Sequence, residues 1–319
     1  MLVTHGTSFL PYPPVALTIG NFDGVHRGHQ AMLQRLTQAA RDTGLASCVL
    51  TFEPHPREFF DPLNAPARLT SLREKLELFA AHGVERAHIC RFDAGFARLG
   101  AAEFIENILH RGLQAKWVLV GDDFRFGAKR TGDFNLLQQS AAGCGFEVAA
   151  MESVTVDGVR ASSTAVREAL AAGKLEWAAH LLGRPYSISG RVMHGEKLGR
   201  KIGFPTANIR MKHNKPPLAG IFAVELHGLG ERALQGVASL GVRPTVSDSG
   251  RAVLEVHLFD FDAHIYGHHV QVDFLHKLRD EEKYPDLDTL TRQIARDVEH
   301  AKAYFLTATD PKCPTTKTP

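Results

Sequence analysis

The sequence predicts an α/β domain built on a parallel sheet, followed by a small all-β domain closed by a terminal helix. Three observations carry this. From Val15 to Leu182 short β-branched runs alternate with longer segments of helical period, the rhythm of βαβ units whose crossover helices set neighbouring strands parallel. After Gly183 the apolar runs are short and separated by Gly, Pro and Asp clusters, the texture of a small barrel or sandwich. The 319 residues also suffice for two domains of roughly 150 residues, each with its own core.

Taken in order, Val15 to Ile19, Ala46 to Phe52, Ala87 to Cys90, Trp117 to Val120 and Glu147 to Met151 read as strands, because they are short apolar runs that fit a pleat buried on both faces. Gln30 to Thr43, Leu72 to Ala81, Ala102 to Arg111 and Phe134 to Ala142 carry apolar residues at helical spacing and read as the crossovers. In the second half, Ser187 to Met193, Phe222 to Leu226, Gln235 to Leu240, Val253 to Leu258 and Val270 to Leu275 read as five strands, and about Leu287 to Phe305 as an amphipathic helix packed on them. The tail Thr307 to Pro319 is polar, contains prolines and reads as mobile.

Composition excludes several classes. Net charge is +2, with −1 before Gly183 and +3 after it, so neither half carries the excess of a nucleic-acid binder. Cys48, Cys90, Cys144 and Cys313 form no Cys-x-x-Cys pair, which argues against a disulfide framework or zinc ribbon. No apolar run reaches the roughly 18 to 20 residues of a membrane helix, and the N-terminus lacks a signal-peptide layout. A cytoplasmic protein without membrane or nucleic-acid partners is expected.

The strongest motif is GNFDGVHRGHQ, Gly20 to Gln30, which follows a predicted strand and opens a predicted helix. In a doubly wound sheet that junction lies at the carboxyl edge, where ligands bind. First-turn amides and the helix dipole favour phosphate there, and Gly24 and Gly28 permit close approach. His26 and His29, three residues apart, can face one anion. Two imidazoles and helix amides suit a reaction in which charge builds on a bridging phosphate oxygen, as when a nucleotide α-phosphorus is attacked and pyrophosphate leaves. Rival readings are a metal pair completed by His55, or structural histidines.

GDDFRFG, Gly121 to Gly127, also follows a predicted strand, with Asp122 or Asp123 as hydrogen-bonding groups and Phe124 or Phe126 as a flat face for a ring, or else a turn with aromatic packing. SSTAVRE, Ser162 to Glu168, places two hydroxyls at a helix start with Arg167 one turn on, or else is a plain N-cap. Together GNFDGVHRGH, FEPHP at Phe52 to Pro56, GDDFRFG and SSTAVRE resemble the FMN adenylyltransferase module of prokaryotic bifunctional riboflavin kinase/FAD synthetases. The resemblance spans roughly Val15 to Leu182. It implies a Rossmann-like nucleotidyltransferase fold that joins FMN to the AMP part of ATP and releases pyrophosphate. It also implies that His26 and His29, with Gly20, Asn21, Phe22 and Gly28, hold the triphosphate. Ser162, Ser163, Thr164 and Arg167 would form a second phosphate-binding turn, and Asp123, Phe124 and Arg125 would lie near flavin or adenine.

In the second half, HGEKLGRKIGFPTANI, His194 to Ile209, is a glycine-rich basic loop running into Pro205, Thr206, Ala207 and Asn208. Glycines leave amides open to phosphate, Lys197, Arg200 and Lys201 supply charge, and Thr206 with Asn208 offers neutral oxygens of the kind Mg²⁺ takes beside phosphates. A surface loop with a proline turn is the plainer reading. The loop resembles the phosphate and magnesium segment of riboflavin kinases, a likeness that implies ATP contacts at Gly195, Lys197, Gly199 and Lys201. LEVHLFDFDAHIYG, Leu254 to Gly267, resembles the strand carrying their catalytic glutamate, which places that role on Glu255; without the likeness a strand glutamate reads as solvated. FLHKLRDEEKYPDLDTL, Phe274 to Leu290, resembles the family's flap, with Arg279 toward flavin. One departure is Val246 in GVRPTV, where relatives usually place an aromatic.

The resemblance thus implies one enzyme with a small β-barrel kinase domain at 183–306, an adenylyltransferase domain at 1–182 and a tail at 307–319. It would phosphorylate riboflavin to FMN and adenylylate FMN to FAD, each step with ATP and Mg²⁺. The rivals are a chain with one working half and a non-catalytic flavin-binding protein. Oligomeric state is not legible in the residues.

Overall fold

The computed structural model describes residues 1–6, 12–195, 198–212, 215–242 and 252–308. The chain divides into two compact units, 1–66 with 70–163, and 67–69 with 164–319.

The first unit is built on six strands: β1 (Leu2–His5), β2 (Val15–Ile19), β3 (Ala46–Glu53), β4 (Arg86–Arg91), β5 (Ala115–Gly121) and β6 (Glu147–Met151). They lie in the order β1-β4-β3-β2-β5-β6, and every neighbouring pair is parallel. From β2 the chain winds to β3 and β4 on one side, then crosses to β5 and β6 on the other. The switch point therefore lies between the carboxyl ends of β2 and β5, where open α/β sheets bind ligands.

Alternation along the strands sends residues to two faces, both covered by helices. Ala16, Val49 and Ala87 pack with Leu33 and Leu36 of the helix Arg27–Thr43 and Phe79 of the helix Leu72–Ala81. Leu17, Leu50, Cys90 and Val118 pack on the opposite face with Phe104, Ile108 and Leu137. Each fully buried Val, Leu, Ile or Phe among them contributes about 1.5–3 kcal/mol through burial. The expected helix Ala102 to Arg111 begins as a single α-turn, Ala101–Glu103, and continues as a π-helix over Phe104–His110.

The strand β1 was not expected. It is a four-residue edge strand with too few residues to show a period, and its neighbours hold it in place. His88 on β4 is 1% exposed; its Nε2 lies 2.9 Å from the Gly6 carbonyl and its Nδ1 2.8 Å from the Thr4 hydroxyl. The Gly6 carbonyl can only accept, so Nε2 donates to it, and the Thr4 hydroxyl pairs with Nδ1. Burial, opposed by the Gly6 bond and then reinforced by His5 and Arg86, holds its pKa below the ordinary histidine value. A depressed folded-state pKa gives stability that is complete above the unfolded value of about 6.5 and is lost as pH falls below it. His88→Gln should lower stability at pH 8 by about 1–2 kcal/mol and flatten the decline below the unfolded histidine value, as read by denaturant unfolding.

A short hairpin, β7 (Thr155–Val156) and β8 (Val159–Arg160), precedes the helix Ser163–Ala171. The second unit holds that helix from Thr164 on, the helix Leu175–Leu182 and a barrel. Its strands are β9 (Tyr186–Met193), β10 (Ala207–Arg210), β11 (Gly220–His227), β12 (Leu234–Val242), β13 (Ala252–Leu258) and β14 (His269–Arg279). They close in the order β10-β13-β12-β11-β14-β9, all antiparallel. The barrel thus has six strands where five were expected, because β10 is only four residues long and follows the proline of the segment read as a loop. Phe222, Val224, Leu254, Val256 and Phe274 are buried in the barrel. Ile221, Ala223 and Val237 instead meet Ala301 and Phe305 of the terminal helix Leu287–Ala308. That helix includes Thr307 and Ala308, which the sequence assigned to the tail; 309–319 lie outside the described residues. The helix Leu175–Leu182 packs on β9 and β14, so the compact division falls at Ser163/Thr164 rather than at Gly183.

Candidate active sites

At the end of β2 the backbone makes a strained turn into the helix Arg27–Thr43. Phe22 and Val25 hold left-handed φ of 50° and 42°, either side of Gly24 at 82°, a conformation that bulky or β-branched residues seldom adopt. The turn is fastened from outside. Asp23 Oδ1 accepts from the Thr70 N–H at 3.0 Å and the Thr70 hydroxyl at 3.2 Å, and the Gly24 N–H donates to that hydroxyl at 3.0 Å. The Ser163 hydroxyl donates to the Asp23 carbonyl at 2.8 Å, which ties the start of SSTAVRE to the same turn.

The clamped turn sets His26 at the N-cap and His29 in the first helical turn, which contains no acidic residue. Their rings stack with centroids 3.7 Å apart and planes at 24°. Phe22 packs on His29 at 4.9 Å, while the Gly20 N–H donates to the Leu50 carbonyl at 3.1 Å. A Cβ on Gly28 would stand 3.2 Å from the His26 ring and 3.3 Å from the Ala161 carbonyl, so glycine is what lets this helix start lie against the segment leading to Ser162. His29 Nδ1 and Asn21 Oδ1 are buried without hydrogen-bond partners among the described residues, and buried polar atoms of that kind ask for a ligand. Burial, then His26, then Lys75, hold His29 well below the ordinary histidine value, so it is a neutral imidazole near pH 7.

His55 caps the short helix Pro56–Phe60, its Nδ1 accepting from the Arg57 N–H at 3.1 Å. Among the described residues no group of three or more His, Cys, Asp or Glu is arranged to hold a metal. Of the remaining residues assigned here, Asp123 pairs with Arg160 of β8 at 2.7 Å. Phe124 stacks on Phe126 at 5.3 Å, and Arg125 is exposed and donates to the Phe124 carbonyl at 3.0 Å. In the second unit, Thr164 is exposed and Arg167 Nε donates to the Ala67 carbonyl at 2.6 Å.

Sequence reasoning missed a wall of phenylalanines beyond the carboxyl ends of β3 and β4. Phe92 lies 6.0 Å from Phe52, 5.5 Å from Phe59, 5.6 Å from Phe60 and 5.6 Å from Phe96. Phe60 is 66% exposed. The crowding of Phe in FEPHPREFF and RFDAGF was the available signal.

On the barrel, β10 brings the second set of residues together. Asn208 is directly opposite Glu255 of β13, and Glu255 is directly opposite Ser239 of β12. Opposed residues on neighbouring antiparallel strands share a face about 4.5–5.5 Å apart, and the burial of Leu254 and Val256 puts that face on the outside of the barrel. A Cβ on Gly195 would overlap the Asn208 side-chain amide, and one on Gly199 would overlap the Phe204 carbonyl and come within 3.4 Å of the Thr206 hydroxyl. The glycine-rich loop therefore lies directly on the Thr206–Asn208 segment. Gly195→Ala should displace the Asn208 amide and lower activity at this site about 10²-fold, the cost of an ångström-scale misplacement, measurable by steady-state kinetics. Lys197, Val246 and the Lys201 side chain lie outside the described residues.

Arg279 lies at the end of β14. Its Nε and Nη2 donate to the Asp297 carboxylate at 2.9 and 2.7 Å and its Nη1 to the Asp280 carbonyl at 2.9 Å. It ties the end of β14 to the terminal helix.

A clamped histidine turn at a parallel sheet's switch point, and a glycine-rich loop laid on the strand opposite Glu255 of a separate barrel, are the architecture of a transferase with two domains of different fold. The FAD synthetase family model matches residues 12–165 and the Riboflavin kinase family model residues 182–305. The bifunctional riboflavin kinase/FMN adenylyltransferase of Escherichia coli (strain K12) is 50% identical, with 94% of this chain and 96% of that protein covered. The protein of the same description from Haemophilus influenzae is 49% identical, with 91% and 94% covered. A solved structure described as a macrolide-efflux protein from Streptococcus pneumoniae is 29% identical with TM-score 0.79, covering 95% of this chain and 99% of its own. Among the described residues no helix is long and apolar enough to cross a membrane. The chain belongs to the bifunctional riboflavin kinase/FMN adenylyltransferase family.

Proposed function

We propose that each unit carries one of the two activities: the first joins FMN to the adenylyl part of ATP at the His26/His29 turn, and the barrel phosphorylates riboflavin beside Glu255. The observation that carries this is the separate assembly of two anion-seating constellations, each at backbone that glycine keeps open, on folds that match the two family models.

In the first reaction the phosphate oxygen of FMN attacks the α-phosphorus of ATP and pyrophosphate leaves. The stacked imidazoles and first-turn amides hold the triphosphate and stabilise the charge that grows on the bridging oxygen. No covalent intermediate is needed. The Phe52/Phe59/Phe60/Phe92 wall offers a flat apolar face of the kind a flavin ring stacks on. In the second reaction Glu255 takes the proton of the terminal ribityl hydroxyl as its oxygen attacks the γ-phosphorus, and ADP leaves.

The barrel residues fit Mg²⁺: Thr206 and Asn208 are neutral oxygen donors held against a glycine loop, the set a hard cation takes when phosphates complete its shell. Bound there, Mg²⁺ would neutralise phosphate charge. The same reading includes a cytoplasmic setting, in keeping with the free thiols Cys48, Cys90 and Cys144.

The test is chromatography of the flavins formed from riboflavin, and in parallel from FMN, with ATP and Mg²⁺. FMN then FAD in the first tube and FAD in the second is the expected result. FMN alone would remove the adenylyl-transfer assignment, FAD only in the second tube would remove the kinase assignment, and flavin binding without product would leave a carrier.

A further inference from the structure

Pro205 stands just ahead of β10, and a proline brings no N–H to a ladder. The pairing of β10 with β13 runs through Ala207 and Val256, Asn208 and Glu255, and Ile209 and Leu254. One step beyond that register lie Thr206 on one strand and His257 on the other, so Thr206 is held by something other than the ladder. A side chain supplies the tie. His257 Nδ1 lies 2.9 Å from the Pro205 carbonyl; a carbonyl only accepts, so Nδ1 carries a proton and donates it.

The imidazole is fixed by what packs on it. Phe204, whose N–H donates to the Gly199 carbonyl at 2.8 Å, meets it edge-on at 5.4 Å, and Phe259 meets it at 6.2 Å. Phe259 lies 6.3 Å from Phe305 of the terminal helix, with Lys302 Nζ over its ring at 5.2 Å. Val256 and Leu258 are buried, which puts His257 on the outer face with Glu255, and buried Ala207 leaves Thr206 and Asn208 on that face of β10. One histidine therefore joins the glycine-rich loop, the Thr206–Asn208 segment and the strand of Glu255.

We propose that His257 is a positioning residue of the kinase site: by donating to the Pro205 carbonyl it holds Thr206 and Asn208 level with Glu255, so that the neutral oxygen donors and the base keep one geometry. The proposal rests on phosphoryl transfer beside Glu255 with Mg²⁺ at Thr206 and Asn208. Groups that orient a metal's ligands set its affinity without touching it, and this one acts through the backbone immediately before Thr206.

The experiment uses the full chain with His257→Phe, which keeps an aromatic ring beside Phe204 and Phe259 but has no donor, and with His257→Asn, whose amide nitrogen stands where Nδ1 does. FMN formation from riboflavin is followed over a range of ATP with Mg²⁺ in constant excess, and FAD formation from FMN serves as the control. The imidazole nitrogens of the wild-type chain without nucleotide are read by ¹⁵N NMR, with His257→Phe assigning the resonances, and should show the proton on Nδ1. In His257→Phe, KM for Mg·ATP should rise about 10- to 100-fold, the usual effect of removing a group that orients a metal's ligands. Its kcat at saturating Mg·ATP should be retained, because ground state and transition state lose the same contact, and that retained rate reports a folded barrel. His257→Asn should keep the wild-type KM, with FAD formation unchanged in both variants. An unmoved KM in His257→Phe, a KM raised equally in His257→Asn, a loss of kcat that saturating Mg·ATP does not restore, a loss of FAD formation, or a proton on Nε2 alone would overturn the proposal. If Asn208→Ala forms FMN with the wild-type KM for Mg·ATP, the magnesium assignment itself fails, and His257 with it.

Discussion

His29→Ala should cut FAD formation from FMN by about 10² to 10³, the usual cost of one preorganised donor at a developing oxyanion, while FMN formation from riboflavin continues at the wild-type rate. The size follows from how the ring is held. It is stacked on His26 at 3.7 Å and held by the tilted Phe22 ring at 4.9 Å, and its Nδ1 is buried without a hydrogen-bond partner among the described residues, so a phosphate oxygen meets an imidazole already in place. Alanine removes the ring but leaves the Thr70 clamp on Asp23 and Gly24 intact. The turn should persist, and the riboflavin reaction in the same preparation reports that the protein is folded. Equal loss of both activities, with the fold retained, would show that the two sites are not independent.

Glu255→Gln should have the converse effect: FMN formation down about 10² to 10⁴, the range for losing a general base, with FAD formation from FMN unchanged. Glutamine keeps the shape and the hydrogen-bonding reach but cannot accept the ribityl proton. The residue faces outward between Asn208 and Ser239, while its neighbours Leu254 and Val256 fill the barrel. The substitution therefore takes nothing from the core. Retained kinase activity would return Glu255 to the status of a solvated strand residue, and a loss in KM alone would make it a binding group rather than the base.

Much of the fold was legible because its signals are local. The β-branched runs of β2 to β6, the helical spacing between them and the change of texture after Gly183 each depend on neighbours a few residues apart. The strands β1 and β10 escaped because four residues are too few to show a period; partners distant in the sequence determine them. The helix Leu175–Leu182 was read neither as a helix nor as part of the barrel unit, and its packing on β9 and β14 is a long-range fact.

The site residues divide along the same line. The residues alone carried the chemistry: a glycine-bearing histidine turn after a strand, a glycine-rich basic loop before Thr206 and Asn208, and a strand glutamate, in the order shared by one family of flavin-forming enzymes. Packing of remote segments is what stacks His26 on His29, opposes Asn208 to Glu255 across a ladder and holds Arg279 on Asp297. Backbone preference and hydrophobic period act over a turn or a pleat. Register and burial arise only when segments remote in the chain are packed together.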